Sequence, residues 1–99
     1  MGKRVLVVAR DLFFRSKLQA VVQGAGGEAV RDDAECDVAV VELGDAAAEA
    51  RIRGLVARGV PVLAFGSHVK PEALRGARQW GATAVPNSEV EGTLRGLLG

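Results

Sequence analysis

Five short apolar runs, rich in valine, alternate along this chain with helix-forming segments, and the connections between them are brief. The first run, Val5-Leu6-Val7-Val8-Ala9, is apolar at every position. A strand with one wet face alternates apolar and polar residues, so a continuous β-branched run marks a central strand of a parallel sheet, covered on both faces. Strand–helix alternation with short connections gives a parallel α/β sheet. Ninety-nine residues suffice for one such sheet and not for two cores, so residues 1–99 are read as one domain.

The helices and remaining strands follow from their punctuation. Asp11 is placed to cap a helix over residues 12–23, with Phe14, Leu18, Val21 and Val22 as its buried stripe and the glycine-rich run 24–27 as its stop. A short strand is expected at 28–31 and a second central one at 38–43. Asp45 reads as the cap of a helix reaching Arg58, with Gly59 just past its end. A strand at 60–65 precedes a helix at 71–80 that opens on Pro71. After a strand at 82–85, Ser88 and Glu91 have capping-box spacing for a last helix.

One interval is too short. Only residues 32–37 separate the second strand from the third. Parallel neighbours need a crossover of roughly a dozen residues or more, usually helical, whereas six extended residues reach about 20 Å. The crossover helix is therefore expected to be deleted or vestigial, leaving a short edge strand and an extended return.

Composition removes several function classes. Cys36 is the only cysteine and His68 the only histidine, so an intrachain disulfide and a Cys/His zinc site are excluded, and no metal or cofactor is expected. A reducing cytoplasm is the simplest compartment. The first apolar run is cut by Arg10-Asp11, too soon for a signal sequence, and nothing approaches the ~20 apolar residues of a membrane span. The net charge of +1 argues neither for nor against nucleic acid, because an electrostatic footprint needs clustering that total charge does not show. A nucleic-acid partner is not expected. Lys3, Arg4, Arg10, Arg15 and Lys17 make the N-terminal region basic, but no aromatic residues interleave with them for base stacking.

The frame formed by Lys3-Arg4-Val5-Leu6-Val7-Val8, Asp37-Val38-Ala39-Val40-Val41-Glu42-Leu43, Pro61-Val62-Leu63-Ala64-Phe65 and Gly81-Ala82-Thr83-Ala84-Val85 resembles a two-component receiver domain, the α/β module that takes phosphate onto an aspartate. The resemblance covers the chain apart from the missing helix. It implies a flavodoxin-like three-layer sandwich with a five-stranded parallel sheet of order 2-1-3-4-5. In such sheets chemistry sits beyond the carboxyl ends of the strands, here Arg10, Asp11, Glu42, Gly66, Ser67, His68, Asn87 and Ser88.

Residue by residue, that rim departs from the family's pattern. The adjacent acids that hold magnesium match Ala9 and Arg10, with only Asp11 acidic. The acceptor position is Glu42, the hydroxyl position Gly66, the lysine position Ser88, and the proline beside it Glu89. Phosphoryl transfer depends on positioning and on neutralising charge, so Glu42 is not expected to accept phosphate. As a phosphate mimic it would bring one charge where a phosphate carries nearly two. A rim carboxylate facing Arg10 across adjacent strands, with the guanidinium in the place of a metal, is the favoured reading.

Other features have plain readings. Ser67 and His68 beside Glu42 contain the ingredients of a nucleophile–base pair, but sequence neighbours rarely point at each other and no Gly-x-Ser-x-Gly elbow is present. The run 24–27 follows a helix, not a strand, so it is a turn and not a phosphate loop. Leu12 and Phe13 lie beside the buried stripe of their helix, either as part of a wide apolar face or as a contact patch.

The expected function is therefore that of a stand-alone, non-catalytic pseudo-receiver in the cytoplasm, acting through protein–protein interaction or regulation. The alternative is binding of a small anionic ligand or nucleotide at the strand ends through Arg10, Ser67 and Asn87. Without the crossover helix, either Val5 and Val7 or Leu6 and Val8 should lie on a thinly covered face. Exposed apolar surface costs about 25 cal/mol per Å², and identical subunits commonly pair through a two-fold patch. Val5, Leu6, Val7, Val8 and Phe13 are thus the expected interaction surface of a homodimer or partner complex.

Overall fold

The computed structural model describes residues 2–31 and 35–99. At its centre β1 (Arg4–Val8) pairs on one edge with β2 (Glu28–Val30) and on the other with β3 (Val38–Glu42). β4 (Val62–Gly66) pairs with β3, and β5 (Thr83–Pro86) closes the far edge. Every pairing is parallel and the order is 2-1-3-4-5, as the resemblance implies. The register sets Val5 opposite Val38 and Val8 opposite Val41, which brings the turn after β1 alongside Glu42.

Helices cover both faces because the strands alternate two apolar sets. Val5, Val7, Val40, Leu63 and Phe65 pack on α1 (Leu12–Gly24) and α4 (Val90–Leu98) through Leu18, Val22, Val90 and Leu94. Leu6, Ala39, Val41 and Ala64 pack on α2 (Ala48–Ala57) and α3 (Pro71–Gln79) through Ile52, Leu55, Leu74 and Ala77. Among the described residues no α-helix lies between β2 and β3. Asp32 and Asp33, read above as part of an extended return, lie outside the described residues. The end of that return is clipped to β1. The Arg4 amide donates to Asp37 Oδ2 at 2.8 Å, the Asp37 amide to the Arg4 carbonyl at 2.8 Å, and Arg4 Nη1 to Glu35 Oε2 at 2.7 Å.

The thinly covered face expected on β1 is not there. Val5 is fully buried, Leu6 is 2% exposed and Val7 8%, and Val8 is half-buried. Cover comes from within the chain: α2 reaches the Leu6 side of the sheet, where Val30, Cys36 and Val8 also pack. Val5, Leu6 and Val7 are therefore core and Val8 is packed against it, so the argument for self-association through an uncovered β1 face fails. Phe13 alone of that expected surface is exposed.

Three boundaries moved for local reasons. The expected strand at 60–65 starts only at Val62, because Val60 belongs to the end of α2. Its amide donates to the Leu55 carbonyl and that of Gly59 to Val56, the paired bonds of a Schellman ending with Gly59 at φ +80°. Asp45 does not cap α2 directly. Its Oδ1 accepts the Ala47 amide at 2.8 Å in a turn, and the helix starts at Ala48. The Ser88/Glu91 capping box does not form, since a 3₁₀ turn at Asn87–Glu89 leads into α4 with no side-chain cap.

Gly81, at φ +101°, ends α3 in the same Schellman manner, its amide donating to Arg78 and that of Ala82 to Ala77. A Cβ there would lie 2.8 Å from Val56 Cγ1, whereas one at Gly59 meets nothing. An L-residue at such φ costs about 1–3 kcal/mol. Gly81→Ala should therefore lower stability in urea melts by more than Gly59→Ala, which carries backbone strain alone. Equal losses would mean that the contact with Val56 is relieved without cost.

Candidate functional site

The carboxyl ends of β1, β3 and β4 meet in a cleft of about 240 Å³ lined by Arg10, Glu42, Ser67, Lys70 and Asn87 among others. The turn after β1 aims two amides at β3. Arg10 N donates to Glu42 Oε1 at 2.7 Å and Asp11 N to the same oxygen at 3.3 Å. The longer glutamate side chain reaches across to the neighbouring strand and binds the backbone there.

This corrects the expected Arg10–Glu42 ion pair. The residues are neighbours, but the carboxylate takes the Arg10 amide and not its guanidinium. Arg10 Nη2 instead donates to the Leu43 carbonyl at 3.4 Å and passes over Gly44, whose φ of +103° turns the chain away. On the other side Arg15 grips the end of β1, Nε and Nη2 both donating to the Ala9 carbonyl at 3.1 and 2.8 Å. Arginines thus engage the carbonyls just past the ends of β1 and β3.

The remaining candidates separate. Asp11 is the N-cap of α1, its Oδ1 accepting the Phe13 and Phe14 amides at 2.8 and 3.3 Å. Ser67 Oγ accepts the Val69 amide at 3.3 Å in a local turn, and His68 is exposed. Gly66 is buried against Leu43 and Leu74. Asn87 lines the cleft, while Ser88, exposed in the 3₁₀ turn at Asn87–Glu89, is not part of its lining. Lys70 also lines the cleft. It was missed from sequence, although its place between the end of β4 and Pro71 puts it on the rim of any sheet of this kind.

No protein-family model and no curated protein matches the sequence. Solved structures do match. The BeF3-activated DrrB receiver domain superposes with a TM-score of 0.78 at 17% identity, over 98% of this chain and 94% of that one. The CheY-like protein TadZ from Pseudomonas aeruginosa PAO1 gives 0.77 at 18%, over 97% and 96%. The fold is that of a receiver domain. NtrX from Brucella abortus gives 0.76 at 13% identity; it covers 99% of this chain, which spans only 27% of NtrX.

A receiver fold implies a magnesium ion at this rim, and the residues present do not fit one. A hard cation needs several oxygen ligands. Here Asp11 is committed to the helix cap and Glu42 to two amides, with arginines beside them. Among the described residues no three Asp, Glu, His or Cys side chains come together to hold a metal ion. Nor is any helix among them long and apolar enough to cross a membrane.

Hydrogen bonds to a charged acceptor contribute about 1.5–3 kcal/mol when buried and less where water competes, and Glu42 is half-buried. Glu42→Ala should cost about 1 kcal/mol and speed hydrogen exchange at the Arg10 amide. Glu42→Gln should largely keep that protection, whereas Glu42→Asp, about 1.5 Å shorter, should lose it. Unchanged Arg10 exchange in Glu42→Ala would remove the bridge from the account.

Proposed function

We propose that this chain is a receiver-like regulatory module that works through protein contacts, is not an enzyme and does not take phosphate at Glu42. The observation that carries this reading is the double hydrogen bond on Glu42 Oε1. An acceptor carboxylate must be free to attack, beside a cation that neutralises the transferred group. To attack, Glu42 would have to release the two amides that hold the β1–α1 turn, with no carboxylate set for magnesium beside it. A cytoplasmic setting is part of the reading, since Cys36 leaves no intrachain disulfide to form.

For contact with a protein partner, the first turn of α1 offers Leu12 and Phe13, 68% and 62% exposed. The Asp11 cap fixes their backbone, Phe13 meets Phe14 edge-on at 6.1 Å, and Lys17 Nζ lies 4.3 Å over the Phe13 ring. A pre-ordered aromatic loses little entropy on binding, which is why such residues dominate interfaces. A second copy of the chain is one candidate partner, now through this turn and not through β1.

Incubation with magnesium and acetyl phosphate should leave the intact mass unchanged. A stoichiometric gain of one phosphate that disappears in Glu42→Gln would overturn the reading. For the contact surface, Phe13→Ser should change stability by less than about 0.5 kcal/mol, as surface substitutions do. A loss of several times that size would make Phe13 a structural residue instead.

A further inference from the structure

Among the described residues β5 is the outermost strand of the sheet, paired only with β4. Alternate residues of a strand aim their backbone groups at opposite neighbours, so the direction of each can be traced across the sheet. The Leu43 amide donates to the Phe65 carbonyl at 2.8 Å, which turns Phe65 towards β3 and therefore Ala64 towards β5. In a parallel pair such a residue bonds to the two neighbours of the residue opposite it. Ala84 stands opposite Ala64, so Thr83 and Val85 face β4 while Ala84 turns both its amide and its carbonyl outward.

An outward row of free backbone groups is a template for a further strand. Here the row is Ala82, Ala84 and Pro86, and each is closed in its own way. The Ala82 amide donates to the Ala77 carbonyl at 3.0 Å as part of the α3 ending. Pro86 has no amide to give. At Ala84 it is the acceptor that is taken: Arg78 Nη2, from the last turn of α3, donates to its carbonyl at 2.9 Å in a part-buried contact. The Arg78 carbonyl in turn accepts the Gly81 amide at 3.1 Å, so this residue holds both sides of the turn that leads into β5.

The position that Arg78 holds is self-complementary. Were two copies to meet with their β5 strands antiparallel across a two-fold axis, Ala84 would stand opposite Ala84 of the other copy. The two would bond amide to carbonyl in each direction, the hydrogen-bonded pair of an antiparallel ladder. Neither flanking position offers a donor, because the Ala82 amide is committed and Pro86 has none. The pairing therefore turns on one carbonyl. We propose that Arg78 guards the β5 edge against a second copy of this chain, and that withdrawing its side chain lets two sheets join through an Ala84–Ala84 pair. The inference involves neither Phe13 nor Glu42 and does not rest on the function proposed above.

Hydrogen exchange on the unaltered chain tests the edge without a variant. The Ala84 amide should exchange at least about tenfold faster than the Val85 amide, which faces β4. Equal protection of the two overturns the proposal. Arg78→Ala, a change at an exposed helical position that alanine suits, tests the guard. The variant and its reference both carry Phe13→Ser, so that contact through α1 does not contribute. In sedimentation up to about 1 mM, the Arg78→Ala chain should dimerise at least about tenfold more tightly than the reference. Its Ala84 amide should become protected as concentration rises. A variant that keeps its circular dichroism and stays as monomeric as the reference overturns the proposal. A dimer whose Ala84 amide stays unprotected does so too, because another surface would then be joined.

Discussion

β1 is hydrogen-bonded to a strand along each edge and covered by side chains on each face, and the other elements take their places from it. Its Val5 and Val7 fix α1 on one side, and its Leu6 brings α2 and the end of the return segment onto the other. The register with β3 then determines which atoms meet at the rim. With Val8 opposite Val41, the next residues along each strand bring the Arg10 and Asp11 amides to Glu42. A shift of one residue would turn every side chain of β1 to the opposite face.

Much of this was legible in the sequence because it rests on patterns that many residues repeat. The continuous apolar runs of β1, β3 and β4, the Asp11 cap and Pro71 at the start of α3 each carry their own physical signal. What could not be read depends on single atoms. Asp45 has the composition of a cap, but its carboxylate satisfies a turn two residues on, a choice that the same residue makes in either context. Val60 is β-branched and follows a glycine, yet its amide is taken by the helix it leaves. At the rim, strand adjacency placed Arg10 beside Glu42, while nothing in residue type distinguishes an amide from a guanidinium as the donor.

The expected exposure of β1 failed for a related reason. Deleting a helix was treated as uncovering the strand beneath it, but the cover of Leu6 is shared among α2, Val30 and Cys36. Shortening the crossover drew the return against β1, where Arg4 receives it with both backbone groups and its side chain.

The glycine endings have a consequence for how length can be added to this chain. After α1, α2 and α3, Gly26, Gly59 and Gly81 turn the backbone so that the next strand begins within a few residues, each turn closed by paired amide bonds. On the opposite side the connection after β3, residues 43–47, is the longest between a described strand and helix. The connections after β3 and β4 carry side-chain turns from Asp45 and Ser67, with the Arg10 contact to Leu43, in place of paired helix-end amide bonds. Grafted loops, peptide inserts or new chain termini are therefore best tolerated on the carboxyl side of the sheet, because the amino side has no slack to absorb them.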